Sequence, residues 1–220
     1  MRSEKTRKLV TLAMLSALAY ILMVFLRIPV VLFLKYEPKD VIIAIGGFIF
    51  GPLSAMAMSV VVALVEMVTV SETGIYGAIM NALSSCTFAC TAAFVYKKQR
   101  TLPGAALGLA YGIMVTVPVM LLWNYLIVPL YTPYISRADV VPMLVSVFLP
   151  FNLLKYGLSA AITMLIYRPV RSALDKSRLL PMPEGNGARA AKKTNAGALL
   201  VSLFVVITCV LLILSYQKII

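Results

Sequence analysis

The sequence predicts an all-α integral membrane protein, and two observations carry that prediction. Hydrophobic residues fill 61% of the 220 positions and charged ones only 13%, with a mean hydropathy of +0.96; soluble domains carry far more polar surface. The apolar residues also cluster in uninterrupted runs near the ~20-residue length that crosses the hydrocarbon layer as a helix. The length accommodates about six or seven such spans with short loops, and leaves no room for a soluble catalytic domain.

Seven apolar runs appear in order: 9–26, 41–50, 52–70, 74–95, 104–131, 141–167 and 196–214. The first resembles a secretory leader, but no small-residue cleavage site follows it and Arg27-Ile28-Pro29 ends it, so it reads as the first helix. The second is short and meets the third at Gly51-Pro52 without an intervening charge, which permits either a tight helical hairpin or one kinked helix. Charge decides for the hairpin. Basic residues cluster at the head (Arg2, Lys5, Arg7, Lys8), after the fourth run (Lys97, Lys98, Arg100) and after the sixth (Arg168, Arg171, Lys176, Arg178, Arg189, Lys192, Lys193). With a turn at Gly51-Pro52 all three clusters fall on the N-terminal side of the membrane; a single long helix would separate them. The expected protein is a multi-pass component of the cell membrane with a cytoplasmic N-terminus.

Three parts follow from the composition. Residues 1–170 form a six-helix membrane domain, residues 171–195 a basic cytoplasmic linker rich in Pro and Gly, and residues 196–220 an appended seventh transmembrane helix.

Several function classes drop out. The net charge of +12 sits at the ends of apolar runs rather than in a stripe interleaved with exposed aromatics, so it marks topology and not a nucleic-acid surface. The chain has no histidine, no twin carboxylate within a span and no Gly-x-x-x-x-Gly-Lys-Ser/Thr loop. These absences argue against an intramembrane enzyme, a metal site or a resident cofactor, and place any ATP use in a partner. Cys86 and Cys90, four apart on one helix, and Cys209 read as small packing residues.

Polar residues inside apolar runs are costly and therefore informative. Asn81, Asn124, Asn152 and Lys155 all fall in the half of the membrane away from the basic clusters, and Asn152 and Lys155, three apart, share a helix face. Pro150 just before them opens the helix and frees a carbonyl. Asparagine amides both donate and accept, so several aimed at one cavity pair with a heterocycle of alternating carbonyl and N–H groups, and lysine adds a strong donor. Trp123, Tyr125, Tyr36 and Tyr156 are candidate flat walls for such a ligand. The alternative for each asparagine alone is glue between helices.

The loop Leu34-Lys35-Tyr36-Glu37-Pro38-Lys39-Asp40 is unusually charged for its place and reads either as a lid over the cavity or as a solvated turn with Asp40 capping the second helix. Glu66 is the one carboxylate deep in a span, either a proton carrier or a side chain reaching for the surface. Ala13 and Ala17 in the first helix make a small-x-x-x-small face for close approach of another helix.

These motifs together resemble the S components of energy-coupling factor (ECF) vitamin transporters, specifically the riboflavin-binding type. The resemblance covers about residues 8–170. It rests on Lys35-Tyr36-Glu37-Pro38-Lys39-Asp40 leading into Gly46-Gly47-Phe48-Ile49-Phe50-Gly51-Pro52, on Gly77-Ala78-Ile79-Met80-Asn81, on Trp123-Asn124-Tyr125 with Pro129-Leu130-Tyr131, and on Pro150-Phe151-Asn152-Leu153-Leu154-Lys155. It implies a six-helix binding protein that takes up riboflavin, with FMN as a second candidate. It also implies a T component and two ATP-binding subunits as partners, with Ala13 and Ala17 at the docking face. Asn124, Asn152 and Lys155 are then ligand contacts, with Tyr36 and Asn81 as further members of the site, and the first loop closes over it. The appended seventh helix departs from the pattern. Rival expectations are an S component for another vitamin, a solitary proton-coupled carrier using Glu66, a membrane enzyme, and a scaffold with no ligand.

Overall fold

A computed structural model describes residues 2–32, 34–71, 73–132, 134–176 and 196–216. Helix α1 (Arg2–Phe25) leads into a short hairpin of β1 (Ile28–Val31) and β2 (Leu34–Tyr36), followed by α2 (Lys39–Phe50), α3 (Pro52–Thr69), α4 (Gly74–Gln99) and α5 (Leu102–Tyr131). The next crossing is built of α6 (Arg137–Met143), a π-helical turn (Leu144–Phe148) and α7 (Leu149–Lys176), and α8 (Ala196–Tyr216) ends the described chain. Among the described residues five helical stretches are long and apolar enough to cross a membrane, and 200–215 of α8 form a shorter apolar helix.

Gly51-Pro52 is a true turn. Gly51 sits at φ +93°, a region open to glycine, and Pro52 starts α3 where its missing N–H costs nothing. The helices then run back along each other: a Cβ on Gly47 would stand 3.0 Å from the Ala55 Cβ, and Lys39 reaches Glu66 near the far end of α3. Helix α2 is buried on nearly every side, from Lys39 to Phe48. Its twelve residues rise only about 18 Å at 1.5 Å each, against roughly 30 Å of hydrocarbon, so it stops well inside the layer its neighbours cross. The β1–β2 hairpin stands in the gap above it.

Helices α1, α3, α4 and α7 enclose α2. Helices α4 and α5 approach so closely that a Cβ on Gly108 would lie 2.5 Å from the Ala92 carbonyl oxygen. Near the ends of α4 and α7 the Tyr96 and Tyr167 hydroxyls share a 2.5 Å hydrogen bond beside the Phe48 ring. The basic residues Lys5, Lys8, Lys97, Lys98 and Arg168 lie towards this end, and the hairpin lies at the other. Helix α8 packs on α7, and its Cys209 and Ile213 join an apolar cluster with Val30, Leu34 and Tyr36 of the hairpin.

Several details differ from the sequence expectation. The first loop contains strands, whose paired backbone groups need no water. Asp40 does not cap α2: Pro38 precedes the helix, and Asp40 is buried in its first turn. The sixth crossing begins at Arg137, where Ser136 and Asp139 form a reciprocal capping box. Helix α7 continues to Lys176, past the expected linker boundary; the rest of that linker, 177–195, and the C-terminal 217–220 lie outside the described residues.

Candidate functional site

At the hairpin end a cavity opens between α3, α4, α5, α7 and the first loop, in which the centres of water-sized molecules range over about 110 Å³. Asn81, Asn124, Asn152 and Lys155, scattered over 75 positions of sequence, all line it. Pro118 and Pro129 lie within α5 on either side of Asn124, and the wide π turn precedes Pro150 and Asn152 on the other wall. Both devices loosen the regular backbone ladder next to the polar side chains.

Each polar group is prepared differently. Asn124 is 2% exposed, and its Oδ1 has no hydrogen-bond partner among the described residues. An acceptor left this way in a cavity wall costs free energy until a donor arrives. The Asn152 amide donates to the Phe148 carbonyl at 2.7 Å, which orients its Oδ1 as a remaining acceptor. Lys155, 6% exposed, has Asp40 Oδ2 at 3.6 Å, too far for a hydrogen bond but close enough to balance its charge, and its ammonium lies 5.5 Å from the Tyr156 ring centroid. Asp40 in turn accepts the Ser85 hydroxyl at 2.5 Å. Lys155 therefore keeps donors for the cavity while its charge is neutralised from behind.

Asn81 is committed elsewhere: its amide donates to Glu66 Oε1 at 2.8 Å. Glu66 is 2% exposed and does not reach for the surface. It is the hub of a closed ring of alternating charge, with Arg27 at 2.7 Å and Lys39 at 2.5 Å, and both cations also pair with Glu37 at 2.6 Å. Burial pushes the Glu37 carboxyl up, but Lys39, Lys155 and Arg27 outweigh it and hold it down at about 2. Sequence reading missed this ring, although its signal was present: Arg27 flanks the charged loop on one side, and Glu66 is a lone carboxylate in need of cations.

The expected aromatic walls are not where the flat surfaces lie. Trp123, Tyr125, Tyr36 and Tyr156 are absent from the lining, whose apolar part is Leu34, Met80, Met120 and Phe151. Tyr156 is fully buried against Phe88, with ring centroids 5.2 Å apart. Tyr36 is also buried, 3% exposed, and turned into the α7–α8 side near Ser159, where burial pushes its hydroxyl up to about 12. On α1, Ala13 and Ala17 are exposed on the outside of the bundle, far along the chain from the cavity.

Asparagines and a neutralised lysine thus line one cavity within the helical bundle, and comparison with known proteins identifies the class of the chain. The family model for the ECF transporter substrate-specific component matches residues 7–167. The chain belongs to this family. As an S component it is part of a membrane transporter rather than an enzyme. It is 28% identical over 181 residues to the riboflavin transporter RibU of Staphylococcus aureus (strain TCH60), covering 79% of this chain and 95% of that one. It is 29% identical over 186 residues to the riboflavin transporter FmnP of Bacillus subtilis (strain 168), covering 79% and 97%. A solved S component of a bacterial ECF transporter superposes with a TM-score of 0.65 at 28% identity, covering 77% of this chain and 98% of that one. Helix α8 lies beyond the region matched by the S-component model.

Proposed function

We propose that this S component binds riboflavin in the cavity at the hairpin end and delivers it across the membrane in complex with an ATP-driven module. The observation that carries the reading is the unpartnered Asn124 Oδ1 in the same wall-to-wall space as Asn152 and Lys155. Two amides and an ammonium match the alternating carbonyl and N–H edge of an isoalloxazine, and Phe151, Met80 and Met120 supply apolar contact for its rings. Asn81 lines the cavity with its amide committed to Glu66, and Tyr36 belongs to the site indirectly, as the buried root of the hairpin. The relatives named as riboflavin transporters support the same vitamin. Riboflavin is cargo, not a cofactor, and FMN is the second ligand to test because Arg27 and Lys35 line the cavity as well.

The N-terminus is cytoplasmic in this reading, because the basic ends of α1, α4 and α7 collect opposite the cavity and basic residues are retained inside. The cavity then faces outward for capture. The exposed Ala13–Ala17 face docks a T component, which joins two ATP-binding subunits, and residues 1–170 act as the binding domain with α8 as an appendage. A solitary proton carrier finds no support in Glu66, whose oxygens are already occupied by Arg27, Lys39 and Asn81.

The test is an absorbance spectrum of the detergent-purified protein, then titration of the ligand-free form with riboflavin followed by flavin fluorescence. The expected result is saturable quenching that Asn152→Ala weakens. Folded protein without quenching would reject riboflavin and leave the family and fold untouched.

A further inference from the structure

The ring of Arg27, Glu37, Lys39 and Glu66 stands beside the amides and the ammonium of the cavity, with Arg27, Glu37 and Glu66 in its lining, and such a ring is costly to bury. Its chain positions are informative. Arg27 immediately precedes β1, and Glu37 and Lys39 follow β2, so both feet of the hairpin end on charges. Both feet then meet a single side chain of a different element, Glu66 of α3, whose Oε1 accepts from Arg27 and Asn81 and whose Oε2 accepts from Lys39. Lys39 is 1% exposed and Glu37 4% exposed, so water does not screen these pairs as it does at a surface. Without the Glu66 charge, Arg27 and Lys39 would share the Glu37 carboxylate, and the hairpin would keep only the longer 3.4 Å bond from Arg27 to the Val70 carbonyl among its described hydrogen bonds to α3.

We infer that Glu66 is the lid-positioning residue: it locks both feet of the β1–β2 hairpin at the cavity rim and thereby sets how long a bound flavin stays, rather than which flavin is recognised. The inference rests on the riboflavin reading only for the choice of probe. The hairpin closes when both feet are neutralised on α3 and opens when that tie is lost, whichever small molecule fills the cavity.

Hydrogen–deuterium exchange of the ligand-free, detergent-purified full chain tests the latch directly. Glu66→Gln should speed exchange over residues 28–40 by at least about tenfold, as expected for a buried pair stripped of one partner, with α4 and α5 unchanged. In stopped-flow measurements with riboflavin, dissociation should quicken by about tenfold while association stays within about threefold. The double variant Lys39→Gln/Glu66→Gln removes one charge of each sign and should regain part of the lost protection. If Glu66→Gln fails to fold, Glu37→Gln opens the ring from the loop side and should give the same local pattern. Native protection over 28–40, acceleration spread over the whole bundle, or an affinity loss carried by slower association would each overturn the assignment. Should wild-type protein bind no riboflavin, the exchange result still decides the latch, and only the vitamin reading falls.

Discussion

At the scale of single residues, the cavity wall leaves some polar groups unsatisfied and others fully committed. Asn124 presents an unpaired acceptor, whereas Asn152 is oriented by its own helix and Lys155 by Asp40. Removing the Asn124 amide should therefore weaken riboflavin binding, by about ten- to a hundredfold for one or two lost hydrogen bonds, with little effect on stability. Fluorescence titration of Asn124→Ala together with a melting curve in detergent checks both halves. Asp40→Asn should behave differently. It leaves Lys155 as a buried, unneutralised cation and should lower thermal stability as well as affinity, at a cost of about 3 kcal/mol or more. Asn124 and Asn152 were readable as site candidates because an amide in an apolar run is conspicuous by itself. The role of Asp40 was not, because the local pattern suits a helix cap and only its burial beside Ser85 and Lys155 shows otherwise.

At the scale of elements, short α2 creates the recess. Its twelve residues rise about 18 Å, and the hairpin with its charge ring occupies the level above. The apolar run 41–50 reads in the sequence as a short helix of its own; that it stops inside the layer with strands standing over it shows only in the fold. The bundle around it depends on close approach between α4 and α5. Gly108→Val should lower the melting temperature markedly, since its side chain would meet the Ala92 carbonyl, and backbone cannot yield as a flexible side chain does. Helix α8 packs against the hairpin through Cys209 and Ile213. Ending the chain before residue 196 should leave the six-crossing bundle folded but increase exchange in β1, a change measurable in the same deuterium experiment.

For the whole molecule, the cavity and the basic residues Lys5, Lys8, Lys97, Lys98 and Arg168 lie at opposite ends, which is the arrangement a capture protein needs if uptake is inward. Replacing Lys5 by Cys should yield a thiol labelled by impermeant maleimide only after the cell membrane is opened; labelling of intact cells would reverse the topology. The exposed Ala13 and Ala17 lie away from the cavity, so Ala13→Trp or Ala17→Trp should leave riboflavin titration within about twofold of wild type and abolish uptake by cells, because bulk on that face blocks helix approach. Normal uptake by either variant would remove α1 from the docking surface.

The membrane class, the order of the helices, the turn at Gly51-Pro52 and the polar residues of the cavity were determined by the sequence itself, because each depends on run length, local charge or a residue type out of place. The charge ring, the counter-ion of Lys155, the apolar lining and the seat of α8 were decided only by the tertiary structure. Arg27 and Glu66 are 39 positions apart, and Asp40 and Ser85 are 45 apart. No periodicity links such residues; the packing of separate helices around α2 does.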